Sequence, residues 1–182
     1  LPNERSSRLQ VDAANGSNSK IRSNQYFRYQ AGKGGVARLT VIHLDAGITN
    51  QVRRWLYFDD ENGLFFQLTD TTLAIVRRTF TSGVAVDNIV NQENWNYDTM
   101  LSDQGPSGMV LDITKGNIYE ANFTWLGVGP VYFFVNRLLV HVMNNQNSLS
   151  SVYMSMGSLP MGAEVVNSAA AGAANGGLKY IC

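Results

Sequence analysis

The sequence predicts an all-β fold, an antiparallel β-sandwich of the jelly-roll type with little or no helix. The clearest evidence is segment 117–143, which has the pattern of three successive strands joined by two tight turns. Between residues 119 and 125, apolar or aromatic side chains alternate with polar ones, which is the two-residue period of a strand with one buried face. The whole chain shows about ten to twelve such short strands and no long helical pattern, which is typical of a sandwich or barrel.

Segment 117–143 also predicts core residues. Glycines and a proline at 127–130 interrupt the first strand pattern, and the alternation resumes at Val131, as expected of a hairpin. A second reversal at 136–137 leads into the third strand. The residues on matching faces of the first two strands are expected in the core: Phe123, Trp125, Phe133 and Val135.

Further strands flank this segment. Alternating or apolar runs bounded by turn residues predict strands at 36–44, 52–58, 63–69, 72–79, 109–113, 152–156 and 159–166. Adjacent arginines occur at 53–54 and 77–78, so one guanidinium of each pair should point inward and need a carboxylate or carbonyl partner. Tyr26, Phe27 and Tyr29 form an aromatic cluster that is expected to pack at the edge of the core.

The length of 182 residues favours one domain. We expect an extended N-terminal arm over 1–25, the sandwich over 26–167, and a flexible loop with a truncated C-terminal strand over 168–182. The arm has few apolar side chains, and it either adds an edge strand to its own sandwich or completes the sheet of a neighbouring subunit. The chain begins at Leu1 and stops after a strand-like run at 179–181, which predicts a fragment or processed product of a longer polypeptide.

The composition is poor in charge. Charged residues make up 15% of the chain, against about 25% in an average protein. This favours a component of a larger assembly, and the alternative is an ordinary polar surface on a β-protein. The 14 basic and 14 acidic residues give no net charge, which argues against a nucleic-acid surface. The apolar runs are too short for a membrane helix, and the single cysteine, Cys182, excludes an intrachain disulfide or a cysteine zinc site.

No residue cluster predicts catalysis, so we expect neither an enzyme nor a bound cofactor. His43 and His141 both lie in predicted strands, where a histidine is usually structural. The motifs GxSxG and HExxH are absent from the sequence. Its five glutamates are isolated, whereas sandwich-fold glycosidases place two carboxylates a few residues apart on one strand. The glycine-rich stretch 31–35, AGKGG, lacks the spacing of a phosphate-binding loop.

An acidic turn is a candidate calcium site. Asp59, Asp60 and Asn62 could supply oxygen ligands to the ion. One acidic hairpin rarely provides the roughly six to eight ligands that calcium needs. The alternative is a solvated turn in which Asn62 and Gly63 have positive φ.

A second candidate is a sugar site in segment 94–97. Sugar sites use exposed aromatic rings with amide partners. Trp95 is flanked here by Asn94, Asn96 and Tyr97. The alternative is a loop that is anchored by one buried tryptophan.

Two long segments, 58–78 and 118–142, resemble those of the concanavalin-like or laminin-G-like sandwich. More specifically, an ordered series of short segments resembles a family of virion structural proteins from aquatic phages and large DNA viruses. The series is QYFRYQAGKG, FDDENGLFF, NWNYD, GPSGMVLD and WLGVGPVYFFV. The resemblance covers residues 26–167 and implies a part in the virus particle.

These observations lead to two functional hypotheses. The first is a non-enzymatic virion structural protein, a capsid or capsid-decorating component that is located in the virion and packs against copies of itself and other virion proteins. The second is a carbohydrate-binding, lectin-like module on a tail or fibre, used in host attachment through the loop of Trp95. A glycan is the expected ligand on the second hypothesis only.

Overall fold

The computed structural model describes residues 5–30, 32–124, 127–169 and 176–181. Its strands are β1 (Ser6–Gln10), β2 (Asn18–Arg22), β3 (Gly34–His43), β4 (Gln51–Phe58), β5 (Gly63–Thr69), β6 (Thr72–Thr79), β7 (Val86–Asn91), β8 (Asn117–Thr124), β9 (Val131–Val135), β10 (Leu138–Met143), β11 (Met161–Asn167) and β12 (Gly177–Ile181). A single turn of 3₁₀ helix, Gln92–Asn94, is the one helical element of these ranges.

The strands form two antiparallel sheets of six strands each. The first sheet has the order β1-β12-β3-β8-β9-β10, and the second has the order β2-β11-β4-β5-β6-β7. The predicted all-β jelly-roll sandwich is thereby confirmed. No helix among the described residues is long and apolar enough to cross a membrane.

The best-patterned regions fold as predicted. Segment 117–143 forms the antiparallel meander β8, β9 and β10, and the run 51–79 forms the meander β4, β5 and β6. Two predicted strands are wrong: 109–113 and 152–156 are irregular, although Leu111 and Tyr153 each donate a single backbone hydrogen bond to a neighbouring segment. These runs are short, and several of their apolar side chains stay exposed to solvent.

The N-terminal arm supplies one edge strand to each sheet. β1 pairs with β12, and β2 pairs with β11, with Leu9 opposite Leu178 and Ile21 opposite Ala163. Leu9 is buried, so an apolar contact accompanies the backbone pairing. The sequence leaves two arrangements of the arm open, and the structure has the intramolecular one. β12 lies between β1 and β3, whereas most of the low-complexity segment before it, 170–175, lies outside the described residues.

Aromatic rings packed against one another fill the space between the sheets. The ring of Phe66 on β5 lies 4.9 Å from that of Tyr119, 5.7 Å from Phe133 and 6.1 Å from both Trp55 and Trp95, measured between ring centroids. The prediction that Phe123, Phe133 and Val135 are core residues is confirmed. Trp125, predicted with them, lies outside the described residues.

The second sheet carries one inward arginine that is almost fully buried. Arg53 on β4 donates hydrogen bonds to Oδ1 of Asp45 at 2.6 Å and to Oε1 of Gln51 at 2.7 Å. Its neighbour Arg54 points to the other face and pairs with Glu164 at 2.7 Å. The 53–54 pair therefore divides between the two faces, and the inward member has the carboxylate partner that its burial requires.

Candidate functional site

The two aspartates of the predicted calcium site already have protein partners. Oδ1 of Asp59 accepts hydrogen bonds from the backbone N–H groups of Glu61 and Asn62 at 2.9 and 2.7 Å. Oδ1 of Asp60 lies 2.6 Å from Nη2 of Arg22, whose hydrogen bond is the main cause that lowers the pKa of Asp60 to about 2. In the part of the chain that the structure describes, no group of three or more acidic, histidine or cysteine side chains is placed to hold a metal ion.

The third calcium candidate, Asn62, is buried, with 1% of its surface exposed. Its Oδ1 accepts a hydrogen bond from the backbone N–H of Ser155 at 2.9 Å, and its Nδ2 donates to Oγ of Ser155 at 3.0 Å. Neither Asn62 nor Gly63 has a positive φ. The turn is solvated at Asp60 and Glu61, which are exposed, but the positive φ expected at Asn62 and Gly63 is wrong, and Asn62 ties the hairpin to the 155 segment.

Trp95, the centre of the predicted sugar site, lies in the core. Only 4% of its surface is exposed, and its ring meets Phe66 edge to face at a centroid distance of 6.1 Å. Its indole Nε1–H donates a hydrogen bond to the carbonyl of Val90 at 3.3 Å. The indole has no free face for a sugar ring, and the geometry matches the alternative of a loop anchored by one buried tryptophan.

The neighbours of Trp95 do not converge on one surface. Asn96 is bonded to the backbone of Val142 at 2.9 Å through both ends of its amide. Asn94 is exposed at the end of the 3₁₀ turn, and Tyr97 is 55% exposed. Tyr97 is thus the one accessible aromatic ring of segment 94–97.

A cavity of about 240 Å³ opens at the end of the sandwich where β3 and β11 begin and β4 and β8 end. We call it the Phe27 cavity. It is lined by 27–30, 33–37, Tyr57, Phe123, Gly157 and Met161. The connection from β2 to β3 passes over it, crossing from the second sheet to the first.

Two stacked aromatic rings make the floor of the Phe27 cavity. Tyr57 from the second sheet and Phe123 from the first are both buried, with ring centroids 5.5 Å apart and planes inclined by 24°. Gly35 is paired with Phe123 across β3 and β8. A Cβ atom at Gly35 would lie 2.6 Å from Cζ of Phe123, so the glycine is what allows the ring to lie against β3.

Hydrogen bonds to residues 157–159 hold the wall of the cavity in place. The backbone N–H of Phe27 donates to the carbonyl of Leu159 at 2.9 Å, and that of Tyr29 donates to Oγ of Ser158 at 2.9 Å. The Tyr57 hydroxyl donates to the carbonyl of Gly157 at 2.8 Å and accepts from the N–H of Leu159 at 2.9 Å. Burial raises the pKa of Tyr57, so its hydroxyl stays protonated at neutral pH.

The rim of the cavity combines an apolar ring with polar side chains. Phe27, predicted at the edge of the core, is 52% exposed, so about half of its side chain is open to solvent there. Arg28, Gln30 and Lys33 are also exposed and line the same cavity. Such a mixture can cover an apolar ligand face while donating hydrogen bonds at its edge.

Sequence reasoning does not predict the Phe27 cavity, although the residues that form it show a recognisable pattern in the sequence. Aromatic and polar residues interleave in QYFRYQ, and the glycine-rich stretch AGKGG follows at once. The first pattern predicts packing at the edge of the core, and the second resembles a phosphate loop without its spacing. Their shared role depends on the sheet-to-sheet crossing that brings 27–30 and 33–37 to one cavity.

The fold is similar to that of several solved proteins that bind or act on carbohydrates. The carbohydrate recognition domain of Emp47p has a TM-score of 0.55 and 12% identity, with 98% of this chain and 83% of that chain covered. β-Agarase A in complex with oligoagarose has a TM-score of 0.61 and 13% identity, with coverage of 98% and 71%.

A third similar structure is the ligand-binding domain of botulinum neurotoxin serotype D in complex with N-acetylneuraminic acid. It has a TM-score of 0.51 and 10% identity, and the match covers 96% of this chain but only 36% of that chain. At such identities the similarity shows a shared fold. No protein-family model and no curated protein sequence matches the chain.

Proposed function

We propose that this chain is a carbohydrate-binding, lectin-like module and that the Phe27 cavity receives a sugar unit of its ligand. The observation that carries the proposal is the half-exposed Phe27 ring beside a cavity with an aromatic floor of Tyr57 and Phe123. The carbohydrate recognition domain of Emp47p, which has the same fold, supports this class of function.

The chemistry of the cavity suits a sugar ring. A pyranose has apolar C–H faces and a polar edge of hydroxyl groups, so it needs an aromatic surface together with hydrogen-bonding side chains. Phe27 supplies the first, and Gln30 supplies both a donor and an acceptor. The volume of about 240 Å³ is below the range of about 300–1,000 Å³ for drug-sized ligands, so it suits one sugar unit with the rest of the ligand in solvent.

Replacing Phe27 with alanine is expected to weaken saccharide binding by about tenfold, because an aromatic contact of this kind contributes on the order of 1 kcal/mol or more. The ring is half exposed, so the folded state should keep its stability. A glycan array would identify the ligand, and titration calorimetry would then compare the two proteins.

Tyr97→Ala is the matched control, since Tyr97 is an equally exposed aromatic residue outside the cavity. It should bind saccharide as the unaltered chain does. The opposite result, with binding lost in Tyr97→Ala and kept in Phe27→Ala, would place the site in segment 94–97. An array on which the unaltered chain binds no glycan would contradict the proposed function itself.

We propose binding rather than catalysis, although β-agarase A shares the fold. The two glutamates that lie in strands are engaged in ion pairs. Oε2 of Glu120 lies 2.6 Å from Nη2 of Arg38, and the carboxylate of Glu164 contacts both Lys20 and Arg54. Neither carboxylate lines the Phe27 cavity, so a bound sugar there meets no acid and base pair.

A virion structural role is a second proposal, favoured by one surface of the second sheet. β7 is an edge strand, and Val86 and Ile89 on it are 51% and 50% exposed. Exposed apolar residues on an edge strand favour pairing with another chain. The similar structures named above favour the saccharide hypothesis, and location in a virion stays a prediction from the sequence.

The assembly hypothesis predicts that the chain self-associates through β7. Light scattering coupled to chromatography should then show oligomers that Ile89→Lys shifts towards the monomer, because a charge at the interface must be desolvated. A monodisperse monomer over the micromolar range would contradict this second proposal and leave the saccharide hypothesis unaffected.

A further inference from the structure

On the basis of the proposed function, we infer that the saccharide is acidic and that Arg28 and Lys33 bind its carboxylate or sulfate group in the Phe27 cavity. The lining residues include these two cations and no aspartate or glutamate. An anionic group on the sugar would supply a counter-charge that none of the described lining residues provides.

Neither cation is used by the fold. The described residues show no ion pair or side-chain hydrogen bond for Arg28 or Lys33. The outer face of the second sheet differs, because there Arg22 pairs with Asp60 at 2.6 Å and Arg54 pairs with Glu164 at 2.7 Å. Those arginines stabilise the sheet, whereas Arg28 and Lys33 remain available to a ligand.

The backbone brings the two cations to one cavity. After Arg28 the chain turns back, with the N–H of Gly32 donating to the Tyr29 hydroxyl at 3.2 Å and the N–H of Lys33 donating to the carbonyl of Gln30 at 3.1 Å. Gly32 has a φ of +80°, which glycine adopts without strain. The turn returns Lys33 to the cavity that Arg28 lines.

The two side chains offer different donors to an anion. The planar guanidinium of Arg28 can bind a carboxylate through two parallel N–H groups, and the ammonium of Lys33 acts as a point charge. The chain as a whole has no net charge, so a general field would not favour an acidic ligand, and we assign the preference to this local pair.

The test compares three ligands by titration calorimetry: a uronic acid oligosaccharide, the same oligosaccharide with its carboxyl groups reduced to neutral alcohols, and a sulfated oligosaccharide. The unaltered chain is expected to bind at least one acidic ligand about tenfold more tightly than the neutral one, as two partly exposed charge contacts allow. The preference should shrink as salt rises, because salt screens exposed charges. The two acidic ligands distinguish carboxylate from sulfate recognition.

The double variant Arg28→Gln/Lys33→Gln should lose the acidic preference while keeping its affinity for the neutral oligosaccharide. Arg8→Gln/Lys115→Gln changes the net charge equally at two exposed cations outside the cavity, and it should keep the preference. Equal affinity of the unaltered chain for acidic and neutral ligands would overturn this inference and leave the proposed function standing. Loss of the preference in both double variants would overturn the assignment to Arg28 and Lys33.

Discussion

Phe133→Ala is expected to lower the free energy of unfolding by about 3–5 kcal/mol, the usual cost of removing a fully buried aromatic ring. Phe133 has no exposed surface, and its ring meets Phe66 edge to face at a centroid distance of 5.7 Å. A typical domain has only about 5–15 kcal/mol of stability, so the loss would be a large part of the total. Urea denaturation followed by tryptophan fluorescence measures it directly.

Phe134→Ala is the matched control for this experiment. Phe134 is the next residue on β9, it has the same side chain, and its side chain points to the other face, where it is only partly buried. Its removal should cost clearly less than that of Phe133. Similar losses in the two variants would contradict the register of β9 in the first sheet.

The alternation that identifies Phe133 shows which part of the fold can be predicted from sequence. Apolar and polar residues alternate over much of segment 117–143. A shift of one residue in the strand pairing would turn all of its apolar side chains to solvent, so the alternation fixes the register of the strands. The runs 109–113 and 152–156 are too short for such a constraint. Isolated hydrogen bonds to distant residues fix them in place, among them those of Leu111, Tyr153 and Ser155, and no local pattern reveals those partners.

The candidate site shows where sequence reasoning fails. The polar segment around Trp95 leaves both an exposed sugar-binding ring and a buried anchor open, and only the structure shows that the ring enters the core beside Phe66. Phe27 lies in an aromatic cluster that is expected at the edge of the core, and the sequence does not show that half of its surface is open to a cavity. The direction of each ring depends on packing against residues that are distant in sequence, such as Phe66 for Trp95, and local composition does not encode these contacts.

His43 gives the fold a second testable property, a loss of stability in mild acid. The side chain is 1% exposed at the end of β3, and its ring meets Trp55 at a centroid distance of 4.6 Å. Its Nδ1 lies 3.4 Å from Nη1 of Arg53, and its buried Nε2 has no partner among the described residues. Burial, helped by the charge of Arg53, lowers the pKa of His43 to about 3.

The direction of the pH effect follows from this low pKa. In the unfolded chain a histidine takes up a proton near pH 6.5, but the folded chain leaves His43 neutral until the pH approaches 3. The unfolded state therefore binds more protons in this interval, and the free energy of unfolding falls as the pH falls. Between pH 7 and pH 5 the loss due to His43 is expected to be about 2 kcal/mol.

Urea denaturation at pH 7 and pH 5 tests this expectation in the unaltered chain and in His43→Phe, which keeps an aromatic ring but does not titrate. The variant should lose about 2 kcal/mol less between the two pH values, whatever its absolute stability. Carboxylates titrate mainly below this interval, and the chain has one other histidine, His141, whose pKa is also lowered by burial. His141→Gln should remove a separate part of the pH dependence. An identical fall in stability in the unaltered chain and in His43→Phe would mean that His43 takes up its proton in the folded state, and that its ring is not closed off from water as the structure describes.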